Sequence, residues 1–574
     1  MNTRGYKLEH ALYALAFLFA LFMRIILLGR LPLSDSEAYL ALQALSLSEG
    51  GRVNFGTQPA YILFTSVLFN IFNDTNFSAR LLPAVIGSLV VFIPFGLRDK
   101  LGRTAALLAA FGLAFDPGLL ALSRTADSRI LAVVFGMYAV ISFIARKPAM
   151  MGLYAALTVL SGPAAWNFIF VLVLGSAWLI LNQIGAGQGK DGRKISITRV
   201  WQSDDMPFNY GNLLIWFGGV LVLGGTLFFT KPVGIVFAFN GLIEYLGGWA
   251  SSSQISLTAF LIALMVYELL PVVFGIWGGI RGWVMSDAVD QILTRWLGVA
   301  LLVILLYPSH QIADLGLVNL ILWLLAGRHI HRYPFNFDKE SIPAWGQTVM
   351  TVVLLGFAAY HILGVANAIA GNTDRAALEW VGVVGAFLFI LVIFAGVAWG
   401  WGYQLGLRGF SWAVLIMLAG FTFSSAWNAG GLGRNPGAEL WRTSPLIKDA
   451  DILLNTVESA SISSTGFSMQ AEMRLVDVDS DALRWLLRNF PNHQFVRALP
   501  NSQTPAIVIT NYQDQLALGA EYSGQDFSWQ QMMNWQNIYP QDWIRWIMLR
   551  KIPENYNRIM VWVRSDLFPG ETKE

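Results

Sequence analysis

ALYALAFLFALFMRIILLGRLPLSDSEAYL, residues 11–40, decides how this chain is read. Residues 11–29 are apolar apart from Arg24. A hydrocarbon core about 30 Å thick takes roughly 20 such residues as one helix, and in lipid every backbone polar group needs an internal partner. The stretch therefore predicts a membrane span. It ends in a loop, LPLSDSEAYL, that carries two carboxylates, Asp35 and Glu37, where the chain has just left the bilayer.

The rest of the chain repeats the theme. Of its 574 residues 55% are hydrophobic and 13% charged, with a mean hydropathy of +0.54; a soluble chain carries roughly a quarter charged residues. Apolar runs recur to residue 424, without the short alternating segments of an outer-membrane barrel. The net charge is +2 and no basic block is present, so nucleic acid is not an expected partner. The absence of cysteine excludes disulfides, zinc thiolates and thiol catalysis. MNTRGYKLEH leads into a long span with no small-residue cleavage site, which reads as a retained first helix.

About 13 spans are expected: near 10–29, 80–97, 104–115, 130–145, two within 149–183 parted by Gly162-Pro163, then 212–229, 256–279, 296–307, 312–326, 344–368, 377–399 and 410–424. Arg4 and Lys7 place the N-terminus in the cytoplasm by the positive-inside rule. The cationic turns RDKLGR and GRHIHR and the polar 184–211 segment, with Lys190, Arg193, Lys194 and Arg199, also fall inside. Lys231 and the pair Asp374-Arg375 dissent. An odd number of spans leaves the C-terminus outside, in a multi-pass plasma-membrane protein. The piece YILFTSVLFNIF is too short to span and is expected at the interface. From about residue 430 the composition turns mixed. The runs FSMQAEMRLV, TPAIVIT and RIMVWVR read as strands and DALRWLLRNF as a helix. The expected architecture is a mainly α, polytopic transmembrane bundle over 1–429 with a small extracytoplasmic α/β domain over 430–574.

The polar residues with chemical promise lie in the external loops. Asp35 has two readings: a general base for a hydroxyl or amine, or part of a helix cap in which Ser34 or Asp35 precedes EAYLALQAL and Glu37 is a favourable first-turn acid. Arg124 and Arg129, with Ser123, Asp127 and Ser128, read either as a phosphate site, because the guanidinium fork donates two parallel hydrogen bonds, or as an interfacial anchor layer. Arg80 shares both readings. His310, in YPSHQIAD, is a phosphate ligand or a solvated loop histidine. Arg24 and Glu268 lie within spans, where ionisable groups are costly and are either functional or paired in the bundle. Tryptophans of 428–441 and 529–546 read as interfacial belt residues or as sugar-stacking platforms. No Walker spacing and no HExxH occurs. A donor used on the outer side is then expected to be anchored in the bilayer.

At this point the residues resemble a known family, the GT-C integral membrane glycosyltransferases, in the branch of the protein O-mannosyltransferases and the lipid A aminoarabinose transferases. That family has an acidic motif in its first external loop, followed by a tyrosine. In SDSEAYLALQAL, Asp35 stands four residues before Tyr39, Ser36 replaces the usual second acid, and Glu37 follows. In TQPAYILFTSVLF, Gln58 stands where the family's lysine is usual. NFSARLLPAVIGSL resembles the start of the second span and carries Arg80; DPGLLALSRTADSRILAVVFG resembles the second external loop and carries Arg124 and Asp127. HQIADLGLVNLILWLLAGRHI and DALRWLLRNF resemble later elements of prokaryotic relatives. The resemblance is strongest over residues 15–145.

The resemblance implies a polyprenyl-phosphate-linked sugar as donor and a protein, lipid or glycan as acceptor, with transfer on the outer face and inversion. Asp35, Glu37 and Asp127 are the implied catalytic acids, with Asp35 as base, and Arg80, Arg124, Arg129 and His310 the implied phosphate ligands. No cofactor is expected; Mg²⁺ or Mn²⁺ shared by Asp35 and Asp127, after the related oligosaccharyltransferases, is the lesser alternative to a metal-free design. The rival classes are a lipid-linked sugar flippase or transporter, which tends to show internal repeats not seen here, and a non-catalytic scaffold, which Ser36 and Gln58 keep open.

Overall fold

A computed structural model describes all residues except 1–2, 52–55, 186–207, 233, 253–254, 333–341, 372–374, 443, 536–537 and 568–574. Most of the 184–211 linker and Asp374 thus lie outside the described residues.

The predicted spans all fall on helices, but not all as spans. Among the described residues eight helices, or up to ten counting two bent pairs, are long and apolar enough to cross a membrane, so the count of about thirteen is not confirmed. Residues 130–145, 149–159 and 212–225 form apolar helices shorter than a bilayer crossing, Arg129–Ile144, Pro148–Val159 and Tyr210–Gly225. The expected straight span 256–279 is broken at Glu268, where Leu257–Tyr267 and Leu269–Val284 meet at an 89° bend. Arg103–Ala114 and Pro117–Ser123 bend by 54° around Asp116.

The two breaks meet in the core. The Glu268 carboxylate accepts from the Gly118 backbone N–H (3.2 Å) and from Asn319 (2.8 Å). Asp116 caps its own helix through the Leu119 N–H (2.6 Å) and takes the Trp323 indole N–H (2.8 Å). The Gly118 and Leu119 N–H groups freed at the Asp116 break thus find partners inside protein, as membrane depth requires. Asn319 and Trp323 belong to Leu315–Arg332, the most enclosed of the spans. A Cβ at Gly112 would lie 2.0 Å from the Trp323 ring, so glycine lets the two helices close. Arg24, expected as functional or structural, is structural: it donates to Ser123 (3.1 Å) and to the Ala20 and Ala114 carbonyls.

The C-terminal domain is a six-stranded mixed sheet in the order β1-β5-β6-β4-β2-β3, comprising β1 (Leu446–Ile447), β2 (Met473–Val476), β3 (His493–Val496), β4 (Ile507–Asn511), β5 (Tyr522–Met533) and β6 (Glu554–Arg564). Strand β2 runs parallel to β3 and β4; the other pairs are antiparallel. The continuous apolar runs IVI of β4 and IMVWV of β6 are buried on both faces and take the centre of the sheet. One core cluster joins Ile507 and Ile509 of β4 to Leu33, Ala38, Ala41 and Ala44 beside and on the helix Asp35–Ser48. The first loop of the membrane domain is therefore packed into the core of the C-terminal domain.

Candidate active site

The loop LPLSDSEAYL folds around Glu37. Ser34 is the N-cap of Asp35–Ser48, and its backbone N–H donates to Glu37 (3.0 Å) in a capping box. The other Glu37 contacts are long-range. Arg80 Nε and Nη2 each lie 2.7 Å from its two oxygens, and the Ala126 N–H donates at 3.0 Å. Arg80 spends its remaining donors on the Leu28, Leu31 and Pro32 carbonyls. Burial pushes the Glu37 carboxyl up, but the Arg80 charge and hydrogen bonds, aided by Arg442 and the Ser34 N–H, hold it down to about 2. Glu37 and Arg80 thus form a buried clamp that ties the loop around Asp35 to the segment around Ala126, and neither group of the pair faces an open cavity as the expected acid and phosphate ligand would.

Asp35 points the other way. Its Oδ1 accepts from the Ser480 hydroxyl (2.6 Å) and the Ala482 N–H (2.9 Å), and its Oδ2 from Gln530 (2.5 Å). All three donors belong to the C-terminal domain, so Asp35 seats that domain. Nearby, Arg488 donates to Asp74 (2.6 Å) and Trp485 to Asn76 (2.8 Å). Replacing Asp35 by Asn should weaken the seat by about 1–3 kcal/mol, the worth of hydrogen bonds to a charged group. The expected readout is faster amide exchange over 480–486. A ~100-fold loss of activity with unchanged exchange would restore the base role.

Arg124 is also structural. Its Nε donates to the Gly430 carbonyl (2.6 Å), and its Nη1 to the carbonyls of Met23, Arg24 and Ile26 at 2.8–3.0 Å. It closes the C-terminus of the helix Thr3–Ile25, where orphan carbonyls and the helix dipole both favour a cation. His310 is buried, with Nδ1 3.0 Å from the Tyr307 carbonyl and its ring edge-on to Phe260.

Arg129 and Asp127 remain, and they sit together. The Asp127 carboxylate accepts from the Arg129 backbone N–H (2.9 Å) and lies 3.6 Å from its guanidinium. Burial pushes the Asp127 carboxyl up, against the pull of Arg129. Arg129 lines a cavity of about 520 Å³, within the usual range for small-molecule sites of about 300–1,000 Å³. Its lining mixes polar residues, among them Gln58, Asn167, Glu244 and Asp314, with apolar ones such as Val133, Phe168 and Leu317. The Gln58 carbonyl accepts from the Ser128 N–H (2.9 Å) and hydroxyl (2.8 Å). A lysine could not accept these bonds, so Gln58 ties its loop to Ser128. Asp314 is held by the Gln311 N–H (2.8 Å).

Asp314, Asn167 and Glu244 were not singled out from sequence. The signal for Asp314 was present, since HQIADLGL sets an acid just before an apolar run, as LSDSEAYL does just after one. The residues do not fit a divalent ion shared by Asp35 and Asp127: the first is bound by the C-terminal domain and the second by an arginine. Among the described residues no group of three or more His, Asp or Glu could hold a metal.

No family model and no curated protein matches the sequence. Solved structures do match in fold. ArnT of Cupriavidus metallidurans bound to undecaprenyl phosphate aligns over 100% of both chains at 15% identity and a TM-score of 0.54. Its apo state aligns over 97% of this chain and 99% of that one at 13% identity and 0.55. An Archaeoglobus fulgidus oligosaccharyltransferase tethered to an acceptor peptide aligns over 85% of this chain and 63% of that one, at 13% identity and 0.40. The chain shares the fold of ArnT, a bundle of helices long and apolar enough to cross a membrane many times.

Proposed function

We propose that this protein transfers a sugar from a polyprenyl-phosphate donor, with the Arg129 cavity as the reaction site. The observation that carries the reading is that Arg129 lines a cavity whose lining mixes polar and apolar side chains. Such a site suits a phosphate joined to a lipid. Arg129 would bind the leaving phosphate, with Asp127 holding its guanidinium in place. The apolar lining residues would take the first isoprene units. Phosphate leaves as an anion, so the leaving group needs no acid and one base suffices, unlike the two carboxylates of glycosidases. Asp314, on the cavity wall, is the base in this reading: it takes the proton of the acceptor as that nucleophile attacks the anomeric carbon, with inversion.

The test compares Asp314→Asn with Asp35→Asn in the same membranes. Asp314→Asn should lower transfer by ~10²–10⁴-fold, as loss of a general base does, and Asp35→Asn should leave most of it. The reverse order would return the base to Asp35.

A second reading, a non-catalytic scaffold, is favoured by one observation. Glu37, Arg80 and Arg124 spend their charged groups on their own chain, and Asp35 spends its carboxylate on the C-terminal domain. A scaffold would consume no donor in any membrane that contains acceptor.

A further inference from the structure

Two carboxylates meet where the two broken spans touch, and the proposed reaction uses neither. Asp116 and Glu268 are both 0% exposed. They accept from consecutive backbone N–H groups at the start of one helix, Glu268 from Gly118 and Asp116 from Leu119, and their side chains lie within hydrogen-bonding distance of each other. An ionised carboxylate can only accept. A hydrogen bond between these two therefore needs a proton on one of them.

The donors around the pair say which one. Asp116 has a donor at each oxygen, the Leu119 N–H on Oδ1 and the Trp323 indole on Oδ2. Glu268 takes both of its donors, the Gly118 N–H and Asn319, on Oε1. Its Oε2 is buried with no hydrogen-bond donor among the described residues. A bare carboxylate oxygen at this depth is costly, whereas an O–H at Oε2 donates to Asp116 and leaves nothing unmet. The charges agree. Arg24, also 0% exposed, lies near Asp116 and spends its donors on Ser123, Ala20 and Ala114. Tyr267, next to Glu268, gives its hydroxyl to Glu439, and Glu439 faces Arg550 at 3.1 Å, so that acid has its own cation. One guanidinium against two carboxylates leaves one negative charge unbalanced within the spans, where charge is expensive, and one proton cancels it.

We infer that Asp116 and Glu268 bind one proton between them, carried on Glu268 Oε2, and that this proton locks the two broken spans together. Each acid stands at a different break, Asp116 between Arg103–Ala114 and Pro117–Ser123 and Glu268 between Leu257–Tyr267 and Leu269–Val284. With the proton they attract; without it two like charges would push the breaks apart. A sodium ion would restore neutrality as well, but carboxylates in direct contact leave no space for one between them. The lock does not depend on what the Arg129 cavity does.

The experiment uses the full chain in an ester-free detergent and sodium-free buffer at neutral pH. Infrared spectra are compared for the parent, the parent labelled with ¹³C-glutamate, and Glu268→Gln. The expected result is a C=O band of a protonated carboxylic acid in the parent that shifts with the label and is lost in Glu268→Gln. Thermal unfolding supplies the second readout, with Glu268→Leu added. Glutamine copies the protonated acid, since its NH₂ donates to Asp116 while its oxygen still accepts from Gly118 and Asn319, so Glu268→Gln should keep the parent's midpoint. Leucine leaves those donors unmet and should lower it by several degrees. No such band in the parent, a band that the label does not move or that Glu268→Gln retains, a band that sodium abolishes, or a Glu268→Gln protein as unstable as Glu268→Leu would overturn the inference.

Discussion

Glu37→Gln should destabilise the folded protein by about 3–5 kcal/mol, the cost of leaving a buried charge without its partner. The loss follows from the geometry. Arg80 is 3% exposed, so its guanidinium cannot recover water when the carboxylate is gone. Glutamine keeps the shape and one acceptor oxygen, but it places an NH₂ where Arg80 donates, and two donors then face each other. The Ala126 N–H also depends on that carboxylate, so the second loop loosens with the first. The sign of the pH dependence is set by the depressed carboxyl. Glu37 is held at about 2, below its ordinary 4.5, so its contribution is complete above pH about 4.5 and is lost as pH falls toward 2. A thermal unfolding series in detergent should show a large drop for Glu37→Gln at neutral pH that narrows in strong acid. Equal stability of parent and variant would show that the clamp does not hold the loops.

Arg129→Ala should act in the opposite way, abolishing activity and sparing the fold. Arg129 lines the cavity, and among the described residues its ion pair with Asp127 is loose at 3.6 Å. Removing it leaves Asp127 without its cationic partner, but Asp127 still accepts the residue 129 backbone N–H. The effect on stability should therefore stay near 1 kcal/mol, as for a partly exposed pair. The effect on turnover should be ~10²–10³-fold, the worth of one preorganised donor to a developing anion. Arg129→Lys should recover part of the rate, since lysine supplies the charge but not the two-pronged donor. If Arg129→Ala keeps full turnover, the phosphate does not sit in this cavity.

The membrane helices were legible because lipid imposes length and apolarity on every span, and these are local properties of sequence. The two broken spans were less so. Pro117 and Pro271 mark them, but the 89° turn at Glu268 depends on Gly118 and Asn319, which sit 150 and 51 residues away. The site was legible in its loops and not in its roles. Asp35, Glu37, Arg80, Arg124 and Arg129 look alike in sequence: charged residues at the ends of apolar runs. What separates them is where their hydrogen bonds go, and those partners lie 43 to 495 residues away in Glu37–Arg80, Arg124–Gly430 and Asp35–Gln530. In the C-terminal domain the central strands β4 and β6 stood out as apolar runs. Strand β5 did not, because YSGQDFSWQQMM is polar over much of its length and pairs with β6 as the outer arm of a long hairpin.

The measurement that tests the account most directly is turnover of a panel of radiolabelled polyprenyl-phosphate sugars by the parent and Arg129→Ala, in membranes extracted from the same host so that acceptor is present. The account predicts that the parent releases free polyprenyl phosphate from at least one donor, and that Arg129→Ala is slower by at least ~100-fold while remaining folded. A parent that consumes no donor across the panel would contradict it and leave the scaffold.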